Sequence, residues 1–497
     1  MAGLIVSEVD RLVEQATFLH RGGQPRQAEA RLREALAWDP LHLIGLTLAA
    51  ECAIERHDHD AAIRHASLVL TQEPNFAPAL SHLAQGLWLA GRLAEGLAPA
   101  RRAVEIQPNN PLFRVNLAQS CAWLGLSEEA QAVVAPLLAQ EWQPPLMRAR
   151  AHGVVGEALT AQGEFDAAHR ALEQAIALAP DYDPLHMAYG LSLLRLGRLA
   201  EGWLSYQRRE RIGFFFPGQS AGLPGQRWQG QDLTGKTILL KDEQGYGDAI
   251  HFFRYVPMLR RAGAARVVLV TFPLLTGLLR ASTQLAEVVD SLPPDLAPDF
   301  YCLTGDLPGV FGTTLETIPA AVPYIRPPPA LMGAAPDLPI DGKGPCVGLA
   351  WSGDPRHLKD HLRSVPAADF LRIADTPNAR FISLQNAVRP GDEPALAARP
   401  AAARLGEGLS DFAQTARLVS RLDLVITVDT SIAHLAGAMG KPVWVLVPRA
   451  PDWRWLIGRG DSPWYPTMRL FRAGADGWGP VIEDVRRALL SWCRADG

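Results

Sequence analysis

The chain has 497 residues, 48% of them apolar and 20% charged, with a net charge of -4. That length exceeds what one core fills and predicts about three domains. The near-balance of charge excludes a field of one sign that would gather nucleic acid or an anionic membrane. Cys52, Cys121, Cys302, Cys346 and Cys493 lie far apart with no C-x-x-C pair, which predicts reduced, mostly buried thiols and neither a disulfide frame nor a zinc site.

The stretch from Met1 to Asp10 meets acidic residues after a short apolar run, unlike a signal peptide. No segment approaches the roughly 20 apolar residues of a membrane span. A soluble, cytoplasmic protein with no membrane span is expected.

The first half is periodic. Pro40, Pro74 and Pro108 close matching segments 34 residues apart. A second phase of the same period runs through Gly23, Gly91 and Gly125, with His57 standing where a glycine would fall, and resumes at Gly163 and Gly197. Between Gly125 and Gly163 the spacing is 38, placing four extra residues near Trp142-Gln143-Pro144-Pro145. Leu80, Leu83, Ala84, Leu87 and Trp88 recur at helical spacing before one glycine, and Ala94–Ile106 reads as the helix after it. Glycine permits the tight turn between helices, and proline ends the second helix. Ala28, Ala62, Ala130 and Ala168 share one repeat position where helices approach closely. This phasing resembles the tetratricopeptide repeat, with five units over about 7–180 and a sixth over 181–214 serving as the junction. A single hairpin cannot bury its apolar face, so the units are expected to stack into an α-solenoid whose groove holds a protein or peptide; padding or dimerisation is the plainer alternative.

After Arg211 the texture changes. Phe214–Pro217 and the Gly/Pro-rich stretch to Gly230 read as a linker, bounded here as 215–235. β-branched and aliphatic runs follow at Thr237–Lys241, Arg266–Val270, Cys346–Ala350, Arg380–Leu384, Leu424–Val428 and Val443–Val447. Helical patterns at Ile250–Arg261, Phe412–Ser420 and Ile432–Met439 lie among them. Alternation of this kind predicts parallel sheets covered on both faces. The Pro-rich segment Pro323–Pro345 divides the half into lobes at 236–335 and 344–497. Ligands in such sheets bind beyond the carboxyl ends of the strands.

Three strand ends carry polar groups. Leu424–Val428 runs into Asp429-Thr430-Ser431-Ile432-Ala433-His434; Thr430 or Ser431 caps a helix whose first N–H groups suit a diphosphate, and His434 sits one turn on. For this fragment alone, a capped helix with a core histidine is the default reading. Lys241 leads into Asp242-Glu243-Gln244-Gly245-Tyr246-Gly247-Asp248. Its two glycines let backbone approach a ligand, while Asp248 is either a helix N-cap or a carboxylate placed to take a proton from an acceptor hydroxyl. The third end, Trp351-Ser352-Gly353-Asp354, precedes His357, Lys359, His361 and Arg363, where Lys359 and Arg363 either neutralise a diphosphate or form a solvated basic loop. D-x-D occurs only at Asp58–Asp60 and Asp181–Asp183, in the repeats, so no metal is expected. Trp444, Trp453, Trp455, Trp464 and Tyr465 read as packing and a wall of the site.

Taken in order, these segments resemble bacterial proteins that join tetratricopeptide repeats to a glycosyltransferase domain similar to the lipopolysaccharide heptosyltransferases. The matching stretches are 243–259, 348–366, Ser383-Leu384-Gln385, 422–446 and 452–472. The resemblance implies a GT-B pair of α/β lobes, the first taking the acceptor and the second a nucleotide sugar, which acts as co-substrate with no cofactor. It places a catalytic aspartate at Asp248, beside an acceptor-side loop of Gly245, Tyr246 and Gly247. It assigns the donor to Trp351, Ser352, Gly353, Arg363, Gln385, Asp429, Thr430, Ser431 and His434, with arginine at 363 in place of the family's lysine and Ser431 in place of its glycine. The implied activity moves a sugar to an acceptor hydroxyl on a protein recruited by the repeats. A non-catalytic repeat scaffold with a relic transferase domain, and a glycan- or lipid-directed transferase, are the alternatives.

Overall fold

The computed structural model describes residues 2–140, 143–212, 219–329, 344–357, 359–399 and 402–495. Phe214–Pro217 and most of the Pro-rich segment between the lobes lie outside them, as does Trp142. The chain divides into two compact units, Met1–Leu185 and His186–Gly497.

The first unit consists of helical hairpins: α1 (Ala2–Arg21) with α2 (Pro25–Trp38), α3 (Leu43–Glu55) with α4 (His59–Gln72), α5 (Ala77–Leu89) with α6 (Leu93–Ile106), α7 (Pro111–Trp123) with α8 (Ser127–Leu138), and α9 (Pro145–Ala161) with α10 (Phe165–Leu178). Each hairpin turns on a left-handed residue. Gly23, Gly91, Gly125 and Gly163 have φ between 70° and 78°, and His57, in the same register, takes φ 63°. A histidine there carries a small conformational cost that glycine avoids. The repeat alanines Ala28, Ala62, Ala130 and Ala168 are fully buried. In the third hairpin Gly96 takes their place, and a Cβ there would lie 2.8 Å from Trp88 Cδ1, so the indole fills the space of the missing methyl.

A sixth hairpin, α11 (Asp183–Arg195) and α12 (Leu199–Tyr206), straddles the division between the units. Its second helix is built into the second unit. Trp203 is buried, donates its indole N–H to Thr313 O at 2.9 Å, and meets Trp453 edge to face at 5.1 Å. The 3₁₀ turn that follows (Gln207–Arg211) buries Arg209 between Glu243 and Asp306, and Tyr206 Oη donates to Gln244 Oε1 at 2.9 Å. The last repeat helix therefore grips the loop that leads to Asp248.

The rest of this unit is two all-parallel sheets. The first contains β1 (Gln226–Arg227), β2 (Thr237–Lys241), β3 (Arg266–Val270), β4 (Glu287–Val289) and β5 (Phe300–Leu303) in the order β1-β5-β2-β3-β4. The second contains β6 (Cys346–Ala350), β7 (Arg380–Ser383), β8 (Ala402–Arg404), β9 (Leu424–Val428), β10 (Val443–Val447) and β11 (Met468–Arg472) in the order β11-β10-β9-β6-β7-β8. Every residue of β6, β9 and β10 is buried, as a sheet covered on both faces requires. In both sheets the strand order reverses beside the first long strand: between β2 and β5, and between β6 and β9. Crevices that bind ligands open at such reversal points.

Some elements differ in detail from their sequence patterns. The helix expected over Ile250–Arg261 starts earlier, as α13 (Tyr246–Phe252), and a 3₁₀ turn at Phe253–Tyr255 separates it from Val256–Arg261. The short strands β1, β4, β5, β8 and β11 had no pattern strong enough to find. Trp444 stands apart from the other aromatics: it packs with Phe471 and Trp492 in a separate core, while Trp453, Trp455, Trp464 and Tyr465 cluster together.

Candidate functional site

The two lobes meet where α13 of the first packs on the Ser431–Ala438 helix of the second. Gly247 makes that approach possible. A Cβ at this position would lie 2.8 Å from His434 Cδ2 and 3.6 Å from Ser431 Cα. The Gly245–Asp248 loop and the strand-to-helix turn after β9 thus face one another directly. Buried cross-links hold this arrangement. Arg254 donates to His251 O at 2.9 Å, Trp464 O at 2.7 Å and Tyr324 Oη at 2.9 Å, and Tyr324 N donates to Ala438 O at 3.0 Å.

Asp248 is the third residue of α13, and the N-cap position belongs to Gly245. The expected N-cap role is therefore displaced by one turn: the carboxylate reaches back and accepts the Gly245 N–H at 2.9 Å. Its other oxygen pairs with Arg454, which also donates to Asp452 at 3.0 Å and lies over the Trp453 ring at 4.2 Å. Burial alone would lower the Arg454 guanidinium; the charges of Asp452 and Asp248 outweigh it and hold the group above its usual range. Tyr246, half exposed, rests against Phe272 and Phe412 from the two lobes.

On the second lobe, Asp429 follows β9, Thr430 holds the N-cap position and Ser431 opens the helix. Thr430 makes no capping bond, its hydroxyl lying 3.3 Å from Thr427 Oγ1; Ala433 N–H donates to Thr430 O at 3.0 Å, which leaves the N–H groups of Ser431 and Ile432 to a ligand oxygen. Burial pushes the Asp429 carboxyl up to about 6, Asp452 reinforces the shift, and Arg363 opposes it. His434 is buried, its ring parallel to Trp455 at 5.4 Å and its Nδ1 2.9 Å from Tyr465 Oη. Burial, with Arg454 and Arg254 nearby, holds it well below the usual histidine range and keeps it neutral near pH 7.

The loop after β6 follows the strand that pairs with β9. Gln385 braces it: Oε1 accepts from Trp351 N at 3.4 Å and Ser352 N at 3.3 Å, and Nε2 donates to Ser352 O at 3.1 Å. Gln385 is thus a support for the loop and spends its polar atoms within the protein. The Trp351 side chain also turns inward, fully buried, with Nε1 donating to Asp392 at 2.9 Å. Ser352 Oγ is buried with no protein partner among the described residues. At Gly353 a Cβ would lie 2.7 Å from Arg363 Nη2, so glycine is what lets the guanidinium lie over this loop. Arg363 is partly exposed and 3.5 Å from Asp360, whose closer partners are Arg389 and Ser364.

The structure therefore gathers Gly245–Asp248 with Asp429–His434, and Ser352, Gly353 and Arg363 with the end of β6. Arg454, Asp452 and His251 fall within the stretches 452–472 and 243–259 that carry the resemblance, yet the sequence assigned none of them a role. Among the described residues, no three His, Cys, Asp or Glu side chains are grouped to hold a metal ion. No helix among them is long and apolar enough to cross a membrane.

A family model described as glycosyltransferase family 9 (heptosyltransferase) matches residues 407–446, the segment holding β9, the Asp429–His434 turn and most of β10. Protein FlbA of Caulobacter vibrioides is 30% identical over 361 residues, 66% of this chain and 59% of that protein. The chain thus spans under two thirds of that relative. A thermophilic TPR protein of Thermus thermophilus, 19% identical, aligns with 37% of this chain and 99% of its own at a TM-score of 0.32. The chain joins tetratricopeptide-type hairpins to a two-lobed α/β unit similar to the heptosyltransferases of glycosyltransferase family 9.

Proposed function

We propose that the second unit transfers a sugar from a nucleotide-sugar donor to an acceptor hydroxyl, and that the repeats recruit a polypeptide carrying that hydroxyl. The observation behind this reading is the apposition of the Gly245–Asp248 loop and the Asp429–His434 turn across Gly247. It sets a carboxylate of one lobe against an anion-binding strand-to-helix turn of the other.

In the proposed reaction Asp248 accepts the proton of the acceptor hydroxyl as its oxygen bonds to the anomeric carbon. The bond from that carbon to the diphosphate oxygen breaks, and the nucleoside diphosphate departs with its electron pair. Arg363, the helix N–H groups at Ser431 and His434 meet the growing charge, a stabilisation worth several kcal/mol when preorganised, about 3 per donor. These groups supply positive potential without a metal, and a metal-independent reaction is part of the proposal. Arg454 fixes the Asp248 carboxylate in the cleft; the remaining lone pairs of both oxygens stay available to a hydroxyl.

Calorimetry with UDP, ADP, GDP and CMP on the wild type and an Asp429→Ala/His434→Ala variant tests the donor site. Micromolar binding of one nucleotide, lost in the variant, supports it. No binding to folded protein would leave the repeats as the working part and the α/β unit as a relic. A labelled-sugar assay on cell extract then separates transfer to protein from transfer to glycan or lipid.

A further inference from the structure

His434 touches the cleft with one ring nitrogen, and what that nitrogen can do is decided behind it. Tyr465 Oη lies 2.9 Å from His434 Nδ1 and 3.1 Å from His251 Nδ1. A phenol has one proton, so it donates to one imidazole and accepts from the other. The two histidines must therefore hold opposite tautomers. Both are buried, and burial keeps both neutral.

The direction of the chain is set at its ends. Arg254, which can only donate, gives a hydrogen bond to Tyr324 Oη at 2.9 Å, and Tyr324 Oη in turn donates to Tyr465 Oη at 3.5 Å. The Tyr465 proton is thus directed at a histidine. His251 Nε2 is buried without a partner among the described residues, and so is the indole N–H of Trp464, whose ring lies 4.6 Å from the His251 ring. A proton on His251 Nε2 would add a second orphaned donor beside that indole. A lone pair there leaves one orphaned buried N–H in place of two, and orphaned buried N–H groups are rare. His251 accordingly carries its proton on Nδ1 and donates it to Tyr465, and Tyr465 donates to His434 Nδ1. The far edge of His434 faces Gly247, where a Cβ would lie 3.5 Å from Nε2.

We propose that Tyr465 is a positioning residue that locks His434 as the Nε2–H tautomer, so that His434 presents a neutral N–H donor to an oxygen of the donor diphosphate. This rests on the donor-site reading above for its ligand, and on the buried network alone for its tautomer.

The test is nitrogen NMR of the full chain labelled with ¹⁵N-histidine, with His434 assigned from a His434→Gln variant, followed by calorimetry with UDP, ADP, GDP and pyrophosphate. The expected spectrum of the ligand-free wild type has a pyrrole-type shift at His434 Nε2 and a pyridine-type shift at Nδ1. Tyr465→Phe, which removes one oxygen, should mix the His434 tautomers and weaken diphosphate binding about fivefold. His434→Gln, whose amide N–H stands near Nε2, should bind within about threefold of wild type, and His434→Leu should lose at least tenfold. A proton on Nδ1 of His434 overturns the tautomer. An Nε2–H tautomer with equal binding by His434→Gln and His434→Leu overturns the donor role. An Nε2–H tautomer in a wild type that binds no diphosphate overturns the donor-site reading and leaves the network standing.

Discussion

Asp248 of the first lobe and Arg454 of the second form an ion pair across the cleft, with side-chain exposures of 24% and 6%. The proposed base is therefore aimed by a residue 206 positions away in the chain. Arg454 pairs with both Asp248 and Asp452, so its removal leaves two carboxylates without their shared cation. Arg454→Met should destabilise the second unit by about 3 kcal/mol, the low end for breaking a buried pair, because both acids keep some contact with water. An unchanged urea midpoint would show that the pair contributes nothing.

Asp248→Asn keeps an oxygen for the Gly245 N–H, so the helix start is spared. Turnover should fall by about 10²-fold or more, the scale of a lost general base, with nucleotide affinity within about twofold of wild type. Single-turnover transfer assays and calorimetry on the same preparation check the two halves of this expectation.

Gly247→Ala puts a methyl 2.8 Å from His434 Cδ2. Neither the backbone of α13 nor the ring stacked on Trp455 can give way without repacking, at about 1–3 kcal/mol. Thermal unfolding should shift downward and nucleotide binding should weaken, since the clash falls on a donor-side histidine.

The buried Asp429 carboxyl, pushed up to about 6 from an ordinary 3.8, makes a signed prediction. Between those values the native chain holds a proton that the unfolded chain has released, so this group's contribution to stability falls as pH rises from about 4 to about 6 and is flat above. Asp429→Asn removes the slope. The stability of the variant relative to wild type should grow through that window, by at most about 3 kcal/mol. Denaturant melts of both proteins at pH 4.5 and 7 check this. A difference that is constant with pH would place the carboxylate in a wetter setting.

Much of this protein was legible from residues alone. The hairpin turns were marked by a residue that had to take a left-handed conformation, and His57, φ 63°, obeyed the register against its chemistry. The buried strands declared themselves because both faces of a central parallel strand are covered, so β2, β3, β6, β9 and β10 are continuous apolar runs. Short edge or polar strands such as β1 and β8 have no such signature, since pairing with a neighbour, not their own composition, makes them strands. Trp351 shows the same limit: a residue's type at a strand end does not say where its ring goes, and here Nε1 meets Asp392 in the core.

Local sequence thus determined the repeat register, the buried central strands and the polar strand ends, because each depends on conformational preference or burial within a few residues. The tertiary structure alone decided which of those ends meet. Gly247 against His434, Asp248 against Arg454, and the proton order through Tyr465 to His251, 214 positions apart, join groups from different lobes. Charge pairing and tautomer choice act through space over a few ångströms, and no periodicity along the chain encodes them.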